Sequence, residues 1–259
     1  MHVFRGLPSP LQRRPSAVAI GNFDGVHLGH QALLEYVKEA AQARGLVPSV
    51  VTFEPHPKDF FGRGGEVARI STLYDKVNAI LGTGIERIYI LPFNSRLACM
   101  PAETFVRDVL LKGLDACWMS VGKDFRFGGD RAGSVELLEE LSRTLPYELY
   151  VSPTFYHKEA RVSSSRIREA LAVGDLYEAA LMLGRPYSMT GRVIHGAALG
   201  RTRPEDGVRL IAPDPVALNE AFIVPTDVCY AAQGFDRRAF DAGYTGAWQV
   251  AARALSYDY

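Results

Sequence analysis

The chain has 259 residues and a mass of 28.5 kDa, with 47% hydrophobic and 22% charged residues, which excludes a disordered or fibrous protein. At roughly 100–200 residues per domain, this length predicts one large domain, or one standard domain with a small companion. Lys plus Arg and Asp plus Glu each total 29, so the basic surplus that holds long nucleic acid is missing, and any bound anion must be met by a local site.

No run approaches the roughly 18–20 apolar residues that span a bilayer, and the first residues, through Pro15, lack the apolar stretch of a secretory signal. The three cysteines, Cys99, Cys117 and Cys229, are odd in number and far apart. Neither a disulfide framework nor a zinc knuckle is expected from them. The expectation is a cytoplasmic protein without nucleic-acid or membrane partners.

In chain order, short β-rich apolar runs occur at Ala17–Ile20, Ser49–Phe53, Arg87–Pro92, Ala116–Val121 and Glu148–Val151. Helical patterns separate them. Gln31–Arg44 gathers Leu33, Leu34, Val37, Ala40 and Ala41 on one face, and Ala102–Lys112 and Val135–Arg143 behave similarly. Ser165–Ala172 and Leu176–Met182 read as two shorter helices, the second capped by Asp175. Strands alternating with helices predict a Rossmann-like, doubly wound parallel α/β sheet, and near-continuous apolar strands fit a sheet covered on both faces. From Gly184 the texture changes. Gly191–Ile194 reads as a strand, and Gly, Pro and Asp then punctuate the chain through Pro215. The expected division is residues 1–184 and a small β-rich unit from 185 to 259.

The strongest chemical signal is Gly21-Asn22-Phe23-Asp24-Gly25-Val26-His27-Leu28-Gly29-His30, which joins the first strand to the first helix. Ligands of doubly wound sheets bind beyond the carboxyl ends of strands, where helix N-termini offer free N–H groups to phosphate. Gly21, Gly25 and Gly29 let backbone approach a ligand closely. His27 and His30, three residues apart, can face one phosphate from a first helical turn, as cations or as neutral donors. A single histidine here would read as a cap; two in one Gly-rich turn favour a phosphate site. They lack a third ligand and the HExxH spacing, so no protein-held metal is expected.

A second cluster, Arg161-Val162-Ser163-Ser164-Ser165-Arg166-Ile167-Arg168, puts three hydroxyls at a helix N-terminus with cations one turn in. That is more than a cap requires and suits an anion. A third, Val121-Gly122-Lys123-Asp124-Phe125-Arg126-Phe127-Gly128, follows the fourth predicted strand and brings two aromatics to a Gly-rich loop. Phe53-Glu54-Pro55-His56-Pro57 closes the second predicted strand and fits a ligand loop or a rigid turn equally.

Taken in order, these motifs resemble the bacterial bifunctional riboflavin kinase/FMN adenylyltransferases, or FAD synthetases, of the HxGH nucleotidyltransferase superfamily. The resemblance runs from about Arg5 to Tyr187 through GNFDGVHLGH, FEPHP, Leu91-Pro92-Phe93 with Ala102–Val106, VGKDFRFG and VSSSRIREAL. It implies transfer of AMP from ATP to FMN, with Mg²⁺ accompanying ATP, both nucleotides as substrates and FAD and pyrophosphate as products. His27, His30 and Arg168 would act catalytically. Gly21, Asn22, Phe23, Asp24, Gly29, Ser163, Ser164 and Ser165 would bind nucleotide, Ser165 standing where the family usually has Thr. Phe53, His56, Pro57, Asp124, Phe125 and Phe127 would lie on the flavin side.

The family's second domain is a β-barrel riboflavin kinase, and Gly184–Ser188, Gly191–Gly196 and Gly200-Arg201-Thr202 resemble its opening. The family then continues Gly-Phe-Pro-Thr-Ala-Asn, whereas this chain reads Arg203-Pro204-Glu205-Asp206-Gly207. Pro225-Thr226-Asp227 echoes the missing motif in a run better suited to a strand. The stretch from Arg185 to Tyr259 is also shorter than the family's kinase domain, so the expectation is a lost kinase activity. Tyr244, Trp248, Tyr257 and Tyr259 fit a core or an interface equally, which admits a homo-oligomer. Other readings are an HxGH enzyme using another phosphorylated acceptor, or a non-catalytic flavin- or nucleotide-binding regulator.

Overall fold

In the computed structural model, residues 1–62, 68–192, 231–232 and 247–251 are described. Six strands form one parallel sheet: β1 (His2–Arg5), β2 (Ser16–Ile20), β3 (Val47–Glu54), β4 (Arg87–Pro92), β5 (Ala116–Gly122) and β6 (Glu148–Ser152), in the spatial order β1-β4-β3-β2-β5-β6. The order reverses at β2, which pairs with β3 through Val18↔Ser49 and Ile20↔Val51 and with β5 through Val18↔Met119. In doubly wound sheets such a reversal opens a crevice beyond the strand ends. All five expected strands are present, within two residues at each end. The edge strand β1 was not expected; three of its four residues are exposed, so it carries little apolar signal, and its pairing with β4 defines it.

Alternate strand residues feed two cores, as a sheet covered on both faces requires. Ala17, Ala19, Val50, Ile88 and Trp118 meet α1 (Leu28–Arg44), whose buried residues are the five expected, Leu33, Leu34, Val37, Ala40 and Ala41. Val18, Ile20, Val51, Phe53, Met119 and Val121 meet Phe105, Val106, Val109 and Leu110 on the other side. The helix expected at Ala102–Lys112 is a correction: α-helical turns at Ala102–Thr104 and Lys112–Leu114 flank a π-helical stretch, Phe105–Leu111. Its buried residues, Phe105, Val106, Val109 and Leu110, keep the single apolar face the sequence predicts.

Two further helices were not expected. The five-residue Pro57–Phe61 helix is capped by the His56 side chain, and Leu73–Gly82 is capped by Thr72, whose hydroxyl accepts from Asp75 N. The helices at Ser164–Ala172 and Leu176–Leu183 match expectation, Asp175 accepting from Glu178 N at 2.9 Å. With Ile70 and Tyr187 they make a third small core. After Gly184, which is left-handed, a strand at Ser188–Arg192 pairs antiparallel with Ala247–Ala251, which pairs with Ala231–Ala232. Ile194, the segment to Pro215, the Arg203–Gly207 replacement and Pro225-Thr226-Asp227 lie outside the described residues. No described helix is long and apolar enough to cross a membrane.

Candidate active site

The loop between β2 and α1 is held at nearly every residue. Asn22 O accepts from the Thr52 hydroxyl at 3.1 Å, and Asp24 O from the Ser164 hydroxyl at 3.0 Å. Gly25 N donates to Ser71 Oγ at 3.1 Å. The Asp24 side chain is buried and accepts from Ile70 N, Ser71 N, the Ser71 hydroxyl and Arg168 Nη2, the last at 2.5 Å. This scaffold supports unusual backbone: φ is +50° at Phe23, +81° at Gly25 and +41° at Val26. Left-handed backbone at a β-branched valine costs on the order of 1–3 kcal/mol and persists only where the surroundings enforce it.

His27 follows that turn as the N-cap of α1, its Nδ1 accepting from His30 N at 3.3 Å. The two imidazoles stack with centroids 3.7 Å apart and planes 12° from parallel. Gly29 makes room for this, since a Cβ there would come within 3.3 Å of the His27 ring and 3.2 Å of Phe155 Cβ. Phe23 is a core residue whose ring backs His30 at 5.0 Å. Burial pushes the His27 imidazole down to about 4, against the raising effects of its backbone hydrogen bond and Asp24. Burial also holds His30 well below the ordinary histidine value, reinforced by His27 and Lys76. Of the two states open to the sequence, neutral donor or cation, burial favours the neutral one.

The serine-rich cluster reaches the same loop. Ser163 caps its helix by accepting from Arg166 N at 3.3 Å, Ser164 bonds to Asp24 O, and Ser165 is exposed. Arg168 is drawn inward: Nε donates to Ala68 O at 2.7 Å and Nη2 to Asp24, while Nη1 makes no hydrogen bond among the described residues. His56 joins this surrounding. It is buried, its Nδ1 accepts from Lys58 N at 3.2 Å, and burial pushes it down to about 4, with Asp24, Asp59, Lys76 and Arg168 as charged neighbours.

The remaining expected residues divide. Phe53 and Phe127 are buried in the core beneath the crevice. Phe125 is half-buried and stacks on Phe127 at 5.4 Å, and Asp124 is exposed and paired with Arg161 at 2.5 Å. Pro57 opens the short helix after His56. Sequence reasoning named Phe93 only within a family motif and missed the group of more exposed aromatics it joins at the ends of β3 and β4. Phe60, Phe61 and Phe93 contact one another edge-on at 5.4–5.7 Å, and Phe93 also meets Phe53. It also missed Lys76, which is buried with its ammonium pushed down by desolvation and is without a hydrogen bond or ion pair among the described residues. The Thr72-to-Asp75 capping spacing was the available signal for the helix that carries it. Arg69, which pairs with Glu54 at 2.6 Å and Asp59 at 3.0 Å, and Arg185 were likewise missed.

Comparison with known proteins gives a concordant result. A family model described as FAD synthetase matches residues 9–166. The bifunctional riboflavin kinase/FMN adenylyltransferase of Escherichia coli (strain K12) is 37% identical over 205 residues, covering 78% of this chain and 65% of that protein. That of Pseudomonas fluorescens is 37% identical over 231 residues, covering 88% of this chain and 74% of that protein. The chain thus spans somewhat under two thirds of the length of the first of these relatives. A crystal structure of a macrolide-efflux protein from Streptococcus pneumoniae superposes with a TM-score of 0.70 at 23% identity, covering 100% of this chain and 85% of that one, and shares its fold.

Proposed function

The chain belongs to the FAD synthetase family, and we propose that it is an FMN adenylyltransferase, taking AMP from MgATP onto FMN and releasing FAD and pyrophosphate. One observation carries the proposal: two helix N-termini, one bearing His27 and His30 and the other Ser163, Ser164 and Ser165, meet on a single strained loop and are tied by the Ser164 bond to Asp24 O.

An oxygen of the FMN phosphate attacks the α-phosphorus of ATP in line. A P–O bond forms there as the bridge to the β-phosphorus breaks, and the electron pair leaves on pyrophosphate. No protein nucleophile is required, so positioning and charge stabilisation supply the catalysis. Neutral His27 and His30 donate to the triphosphate, and the anion draws their proton affinity upward. Ser164, Ser165 and the free N–H groups of their helix approach from the other side. Arg168 presents Nη1 to phosphate while Asp24 fixes its plane. Magnesium enters as part of the substrate, and the Asp24 carboxylate is already used by four donors. Phe60, Phe61 and Phe125 offer ring surface for the flavin, Asp124, His56 and Pro57 border it, and Phe53 and Phe127 support it from beneath.

In this reading residues 1–184 form the transferase unit and 185–259 a riboflavin-kinase-like remnant without kinase activity, because Arg203–Gly207 replaces the family's nucleotide motif. The metabolites it uses give it a cytoplasmic location. The test is chromatography of FMN plus MgATP reactions, with pyrophosphate release followed over a panel of phosphorylated acceptors. FAD formation supports the proposal. Release with another acceptor only would reassign the substrate, and no release with any would leave a binding protein.

A further inference from the structure

We propose that Arg185 is a positioning residue of this site, a clamp that holds the carbonyls of Gly25 and Val26 in the left-handed turn from which His27 departs. The inference rests on the adenylyltransferase reading above for its activity assay, and on geometry alone for its structural part. Arg185 Nη2 donates to Gly25 O at 2.7 Å across 160 residues of chain, and Nη1 donates to Val26 O at 3.2 Å and Leu183 O at 3.3 Å. Gln31 Nε2 bridges two of the same acceptors, Val26 O and Leu183 O, each at 2.9 Å. Three carbonyls therefore converge on two side chains.

Two of those carbonyls belong to the left-handed turn of the loop, Gly25 at φ +81° and Val26 at +41°, where the valine carries the strain. Relaxation at Val26 would swing the next residue, His27, off its cap and out of its stack with His30. The planar guanidinium suits this task because its donors are fixed in a fork, whereas a lysine offers one compact ammonium. The arginine is itself held from both sides. Leu183 and Tyr187 are buried in the third core, and Thr190 N, further along, donates to Asp75 Oδ2 at 3.1 Å. Completing the nucleotide loop thus takes residues beyond Gly184.

The clamp also leaves an electrostatic mark on His27. The titratable and charged groups acting on that imidazole are Asp24, which raises it, Arg185 and Arg161, which lower it, and the stacked His30. Removing the Arg185 charge should shift the His27 titration upward.

The experiment compares full-length wild type with R185M, R185K and Q31M. Each is assayed for FAD formation from FMN and MgATP, for pyrophosphate binding, and for the His27 titration by imidazole NMR. The expected result is a fall in turnover of roughly 10²-fold for R185M, the scale of an ångström misplacement, with KM for FMN little changed. R185K should recover only part of it, and pyrophosphate binding should weaken in step. An R185M protein with wild-type turnover, binding and His27 titration overturns the proposal. Should R185M fail to fold, R185K and Q31M decide: wild-type behaviour in both overturns it. If wild type makes no FAD, the functional reading fails by itself, and pyrophosphate binding and the His27 titration still judge the clamp.

Discussion

Asp24 and Arg168, 144 residues apart in the chain, form an ion pair at 2.5 Å in which the carboxylate side chain is 4% exposed and the guanidinium 16%. It bolts the loop after β2 to the helix carrying the serines, and so sets the distance between the two helix N-termini that would flank the triphosphate. Removing one partner of such a buried pair leaves the other charge uncompensated, at a cost of about 3–5 kcal/mol. Asp24→Asn adds a second problem, since its NH2 must face donors whichever way the amide is turned, either the Ile70 and Ser71 N–H groups or Arg168. Urea denaturation of D24N should therefore show a loss of about 3 kcal/mol or more, together with a collapse of turnover. A loss below about 1 kcal/mol would mean the pair contributes little.

His30 has no hydrogen-bond partner for its buried Nδ1 among the described residues. If this ring stabilises charge that develops on the transferred phosphate, His30→Ala should cost on the order of 10²–10³ in turnover while the fold, read by circular dichroism, is retained. An unchanged rate removes it from the mechanism.

His27 and His56 stay neutral in the folded chain down to about 4, whereas an unfolded histidine takes its proton near 6.5. Between these values the unfolded state binds more protons, so stability falls as pH is lowered from about 6.5 to about 4 and rises again with pH. Each group accounts for on the order of 3 kcal/mol at full extent. Calorimetry of wild type against H27N and H56N through this window should show a shallower decline in each variant. Parallel curves would count against the assignment.

Phe61 is 46% exposed, so trimming it removes little from the core. Phe61→Ala should leave the melting temperature within about 1–2 °C, consistent with the small effect of surface substitutions, yet raise KM for FMN several-fold at constant KM for ATP. Equal rises for both substrates would place the flavin elsewhere.

Riboflavin with MgATP should give no FMN from the full-length chain, even under conditions where FMN with MgATP gives FAD. Sustained FMN production would return the kinase activity to the C-terminal segment.

The elements that sequence could reveal are those whose identity is written locally. β2, β3, β4 and β5 are continuous apolar runs, and α1 shows its buried face as a helical stripe. The histidines and serines were visible because glycines and hydroxyls mark strand-to-helix turns. β1 and the short helix carrying Phe60 and Phe61 depend on distant neighbours instead, and no local period announces them. The same holds for Arg185 and Lys76. A lone arginine after a helix-ending glycine, or one lysine in an amphipathic helix, looks solvated until the fold buries it.

The Arg185–Gly25 bond has a consequence for how the protein is made. The His27 loop is synthesised early, but its contacts with Ser164, Arg168 and Arg185 form only once those later residues have been added. Contacts of such long sequence separation form slowly. A nascent chain that has built β2, β3 and β4 therefore carries an unlatched turn and an incomplete candidate site. Nucleotide would then bind the completed chain in preference to its precursors, and so favour the last step of its folding.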